Sequence, residues 1–134
     1  MINIDVVNEL FTIAKNVPKV SNARIASALV KKNSIVCYGS NKYKTHPIQK
    51  KFAKNSHAVC LHAEIDVIIK FLNGNDISDL KKHDLYIVRA KYDESGGKFV
   101  YGKSKPCEGC VKAIKHFGIK SVYYSEDNNC IDEL

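Results

Sequence analysis

The chain has 134 residues, enough to bury one hydrophobic core but not two, and its 45% hydrophobic and 26% charged content is ordinary for a globular protein rather than a disordered one. Twenty-one basic residues against 14 acidic ones give a net charge of +7, carried almost wholly by lysine, which suits a solvated surface, a phosphorylated ligand or nucleic acid. No apolar run is long enough to span a bilayer, and the start Met1-Ile2-Asn3-Ile4-Asp5 lacks the form of a secretion signal, so the expectation is a single cytoplasmic domain over 1–134 with no membrane partner.

In chain order, Val6, Val7, Leu10, Phe11 and Ala14 recur at helical spacing over 4–14, and Val17-Pro18 ends that helix. Residues 24–30 and 35–38 read as two strands joined by a turn at Lys32-Asn33, an antiparallel hairpin. Residues 39–58 show weak periodicity and read as a long irregular segment, a kind often functional. Leu61, Ile65, Ile68, Ile69 and Leu72 then mark an amphipathic helix closed by Asn73-Gly74. The continuous apolar run 85–90 has the look of a buried parallel strand. Gly96-Gly97 turns the chain into a short strand at 98–101. Residues 110–117 form a helix with Gly118 just past its end, and 121–124 form a last strand. Strands and helices in this order predict an α/β fold: a three-layer α-β-α sandwich around a mixed sheet of about five strands.

Two short words carry the chemistry. His62-Ala63-Glu64 and Pro106-Cys107-Glu108-Gly109-Cys110 each open a helix. One imidazole and two thiolates are a zinc donor set that leaves the fourth tetrahedral position free for water. Zinc brings the pKa of such a water to roughly 7. Glu64, two residues beyond His62, can approach that water without ligating and carry its proton. The five cysteines are odd in number and do not form a disulfide framework. A structural zinc site from Cys107, Cys110, His116 and Cys130, or a redox Cys-x-x-Cys, are the alternatives. The first lacks a second Cys-x-x-Cys or a His pair, and the second would sit earlier in the chain.

The paired words resemble the signature of the zinc-dependent cytidine/deoxycytidylate deaminase superfamily. The resemblance spans roughly 21–124. Ser21-Asn22-Ala23-Arg24-Ile25-Ala26-Ser27-Ala28-Leu29 is similar to the small-residue first strand of that family, and Gly39-Ser40-Asn41 to the Gly-x-Asn that ends its second. The resemblance implies that His62, Cys107 and Cys110 hold zinc and that Glu64 shuttles the proton. It implies too that Asn41 and the Ala63 backbone N–H position the substrate, and that the protein assembles as a homo-oligomer. Family members carry a fifth strand; here 131–134 would supply it, or it is missing. The implied reaction is hydroxide attack at C4 of a cytosine nucleoside or nucleotide with release of ammonia. Alternatives are a purine, bases in RNA or DNA, or a non-catalytic zinc-stabilised binding protein. For substrate contacts beyond the signature, Lys42 and Lys44 of the basic loop are candidates for a phosphate. Tyr124 and Phe52 are candidates for stacking on the base, and His46 for facing it.

Overall fold

A computed structural model describes residues 2–44, 46–52 and 60–134. Helix α1 (Ile4–Asn16) begins at Asn3, whose side chain accepts hydrogen bonds from the Asp5 and Val6 amides. It buries Val6, Val7, Leu10 and Ala14, the stripe its spacing predicts. Strands β1 (Arg24–Lys31) and β2 (Ser34–Ser40) pair antiparallel. Lys32 and Asn33 both take positive φ, 52° and 65°, the two-residue turn whose twist matches a hairpin. Strand β3 (Asp84–Asp93) lies antiparallel to β1. Its other edge is divided: Leu85 to Ile87 pair parallel with β5 (Val122–Ser125), and Arg89 to Asp93 pair antiparallel with β4 (Lys98–Gly102). Strand β6 (Ile131–Glu133) adds antiparallel to β5, so the C-terminal segment does form a strand. The sheet therefore has six strands in the order β2-β1-β3-β5-β6, with β4 beside β3.

Alternation along β1 and β3 divides the core between two faces. Ala26, Ala28, Val30, Tyr86, Val88 and Ala90 meet α1. Leu29, Leu85 and Ile87 meet α3 (Ala63–Leu72) and α4 (Glu108–Phe117) through Val67, Ile68, Phe71 and Ile114. This is the α-β-α arrangement expected from the sequence. No helix among the described residues is long and apolar enough to cross a membrane.

The region read as irregular differs from expectation. Strand β2 continues through Ser40, and α2 (Pro47–Phe52) rises within the segment, while Thr45 and 53–59, including His57, lie outside the described residues. Proline suits the first position of a helix, and the His46 ring nitrogen accepts from the Ile48 amide. Six residues are too few to display a helical period. A 3₁₀ segment (Ile77–Lys82) before β3 also went unread. His83 at its end is buried, with its ring edge-on to Phe71 at 4.8 Å.

Two contacts fix α3 against the sheet. Ser27 Oγ donates to the Ala63 carbonyl at 2.7 Å within the core. Gly39 faces α3 so closely that a Cβ there would stand 2.7 Å from the Val67 amide nitrogen and 2.7 Å from Ser27 Oγ.

Candidate metal centre and active site

Both chemical words fall at helix starts, where unpaired amides and the helix dipole favour negative charge. His62 is the N-cap of α3 in extended conformation, yet its side chain makes no capping bond. The ring turns instead toward α4: Nδ1 lies 3.2 Å from Cys110 Sγ and 3.5 Å from Cys107 Sγ. Cys107 is the N-cap of α4, and its sulfur accepts from the Cys110 amide at 3.4 Å. The His62 residue is itself anchored: its amide donates at 3.0 Å to the Oε1 of Gln49, a nearly buried side chain on α2.

The three donor atoms lie within 4.8 Å of one another, and they are the one such group among the described residues. Tetrahedral zinc with ordinary Zn–S and Zn–N lengths places nitrogen and sulfur about 3.6 Å apart. The observed separations fit that geometry, so these residues suit zinc. His116 and Cys130 are not in the group, which leaves the four-ligand structural site without its other two members. Cys60 stands apart with its sulfur 3.5 Å from Ser21 Oγ.

Charge at the cluster is strongly organised. Cys107 is drawn down to about 4, first by its hydrogen bond with Cys110 and then, against the cost of burial, by His62. Cys110 is pushed up, first by its bond to Cys107, then by burial and by Glu64. His62 is raised, chiefly by its bond to Cys107. A divalent cation among the sulfurs would favour both as thiolates. Glu64, in the first turn of α3, is 5% exposed. Burial pushes its carboxyl above the usual range, and His62 opposes that shift only in part.

A cavity of about 210 Å³ opens beside this cluster, with His62, Ala63, Glu64 and Cys107 on its wall. Asn41 lines it too, firmly held: Oδ1 accepts from the Ile25 amide at 3.1 Å, and Nδ2 donates to the carbonyls of Ala23 at 3.1 Å and Val20 at 3.3 Å. The other sequence candidates lie elsewhere. Tyr124 is 5% exposed and packs in the core beneath α3 and α4, because β5 is buried along its whole length. Phe52 stacks against His116 and Phe117, tying α2 to α4. Lys42 is ion-paired to Asp66 at 2.8 Å, and neither it nor Lys44 is on the cavity wall. His46 caps α2.

Lys103, Ser104 and Lys105 are also on the wall and escaped the sequence reading. Their signal was present as an alternation, Lys-Ser-Lys-Pro, in an extended approach to Cys107. Gln49 also escaped, since nothing in a short helix marks one glutamine as the holder of a distant backbone amide.

A family model described as the cytidine and deoxycytidylate deaminase zinc-binding region matches residues 3–126. No curated protein matches the chain. Among solved structures, the dCMP deaminase of cyanophage S-TIM5 in apo form is similar at a TM-score of 0.60 and 21% identity, over 93% of this chain and 86% of that one. The structure of that enzyme in complex with dCMP and dUMP is similar at 0.56 and 17% identity, over 92% and 77%.

Proposed function

The chain belongs to the cytidine and deoxycytidylate deaminase zinc-binding family, and from that premise we propose that it deaminates the cytosine ring of a nucleoside or nucleotide by hydrolysis. One observation supports this above the others: a buried carboxylic acid, Glu64, shares a cavity wall with the histidine of a His-Cys-Cys zinc set.

His62, Cys107 and Cys110 would hold zinc, which would supply Lewis-acid activation of a water molecule. Glu64 is the proton carrier. It takes a proton from the attacking water and delivers it to the ring nitrogen N3 as oxygen bonds to C4. It then carries the second proton to the amino group, the C4–N bond breaks, ammonia leaves, and the ring becomes a uracil. A carboxyl whose proton affinity is raised by burial suits both halves of that shuttle. Asn41 and the start of α3 at Ala63 offer a rigid wall on which the base and sugar are positioned, since the polar atoms of Asn41 are tied to the backbone of 20–25. The solved relative in complex with dCMP and dUMP is consistent with a cytosine nucleotide as substrate.

The test is ammonia release by zinc-loaded protein from cytidine, deoxycytidine, their 5′-monophosphates, the adenine counterparts and a cytosine-bearing oligonucleotide. Release from the free cytosine compounds is expected. Glu64→Gln is expected to lower kcat by about 10²–10⁴-fold while the protein keeps its zinc. Release only from adenine compounds or only from the oligonucleotide would replace the substrate. No release from any of them, or a Glu64→Gln protein as active as the parent, overturns the proposal.

A further inference from the structure

Zinc and two thiolates would sum to no net charge, so the metal centre leaves a phosphate to be met by side chains elsewhere on the cavity wall. The described residues on that wall include two lysines, Lys103 and Lys105, both exposed. Neither ammonium is in an ion pair among the described residues.

Their placement follows from the chain between β4 and α4. Gly102, Ser104 and Pro106 are buried while Lys103 and Lys105 are exposed, the two-residue alternation of extended backbone. Ser104 sets the phase. Its amide donates to the Ser125 carbonyl at 2.9 Å, and its Oγ accepts from the Ser125 amide at 2.9 Å and lies 3.1 Å from the Ile87 carbonyl. Ser125 Oγ in turn donates to the Gly102 carbonyl at 2.7 Å and accepts from the Arg89 amide. With Ser104 held by β3 and β5, its two neighbours fall on the exposed side of the segment, and both are on the cavity wall. The nearer of them stands two residues before the metal ligand Cys107.

We infer that Lys103 and Lys105 form the phosphate subsite of this cavity, so that the preferred substrate is a 5′-nucleotide rather than the bare nucleoside. The inference rests on the deaminase reading above for the base and deepens it at the other end of the ligand. It assigns the role to these lysines in preference to Lys42, whose charge Asp66 already answers, and Lys44, which lies off the cavity wall. Two flexible ammonium groups at adjacent outward positions can close on one phosphate from both sides, and lysine binds phosphate as a point charge.

The experiment compares zinc-loaded parent protein with Lys103→Ala/Lys105→Ala, Lys103→Arg/Lys105→Arg and Lys42→Ala/Lys44→Ala. Two readouts are taken: the ratio of kcat/KM for dCMP to that for deoxycytidine, and the ratio of calorimetric affinities for dUMP and deoxyuridine. The double alanine variant is expected to lower both ratios by about 100-fold, about tenfold per charged contact, chiefly through KM. The double arginine variant is expected to restore most of the loss, and the Lys42/Lys44 variant to leave the ratios in place. Unchanged ratios in the 103/105 alanine variant, loss of nucleoside and nucleotide in equal measure, or a shift confined to the Lys42/Lys44 variant overturns the subsite. An oligonucleotide preferred over dCMP also overturns it. Lysine-dependent binding of dUMP by a protein that deaminates nothing upholds the subsite and removes the deaminase reading instead, so the two failures are distinct.

Discussion

On one face of the sheet, α1 lays Val6, Val7, Leu10 and Ala14 over Ala26, Ala28, Tyr86 and Val88. On the other, α3 and α4 cover Leu29, Leu85 and Ile87 with an equally apolar set, but Ser27, Glu64 and Asp66 are buried on that side as well. The first face is closed by ordinary means. Asn3 caps its helix, and Tyr86 and Tyr123 sit ring to ring at 4.9 Å with the Tyr86 hydroxyl accepting from the Asn3 amide. The second face spends its helix starts differently, turning the N-cap side chains of α3 and α4 toward each other rather than onto their own backbones alone. On the α1 side packing and capping serve the fold, whereas on the α3 side the same kinds of contact also decide where donor atoms and a proton carrier stand.

The comparison can be broken by substitutions read for both stability and zinc affinity. Gly39→Ala is expected to act most strongly, because the added carbon meets backbone at 2.7 Å and α3 must move off β2. A loss of about 3 kcal/mol in urea unfolding is expected, together with weaker zinc binding as His62 shifts with its helix. Stability lost with zinc affinity intact would show that the site tolerates movement of α3.

Asp66→Asn comes next. This carboxylate is 4% exposed as a residue and accepts from the Ser40 amide, Lys42 and Lys70. Burial alone would raise its proton affinity, but those partners outweigh it and the carboxyl is held below its usual value. A group depressed on folding stabilises the protein above its unfolded pKa, about 3.9, and loses that contribution as pH falls through the folded one. The asparagine variant should therefore unfold about 2 kcal/mol more easily at pH 7, and the difference should shrink as pH falls below the unfolded-state value of about 3.9. A difference that persists in acid would mean that packing rather than charge is at work. Asn3→Ala is the smallest of the three, about 1 kcal/mol for a lost cap, with zinc affinity and turnover unchanged. A change in either would show that the two faces are coupled.

How much of this could be read from the chain depends on the range of the interaction. Helices α1, α3 and α4 announce themselves because each buries a stripe at local spacing, and the two chemical words because their residue types form a zinc donor set with a spare carboxylate. The lysines could be counted but not placed. Lys42 meets Asp66, 24 positions later, and no local pattern marks that pairing. Tyr124 ends a strand near the site in topology, yet β5 is covered on both sides, so its ring is core. Conversely the ammonium groups of Lys103 and Lys105 are in no ion pair among the described residues, and nothing local marks them in the sequence. What distinguishes them is the pair of serines that meet across β3 and β5, 21 residues apart.

That serine clasp also bears on how the protein can change over time. In the segment 102–106 the buried residues Gly102, Ser104 and Pro106 alternate with the exposed Lys103 and Lys105, and both lysines stand on the cavity wall. Selection for folding and selection for ligand charge therefore fall on neighbouring positions without sharing any. The mouth of the site can be re-lettered through single codons while the beam that carries it stays as it is.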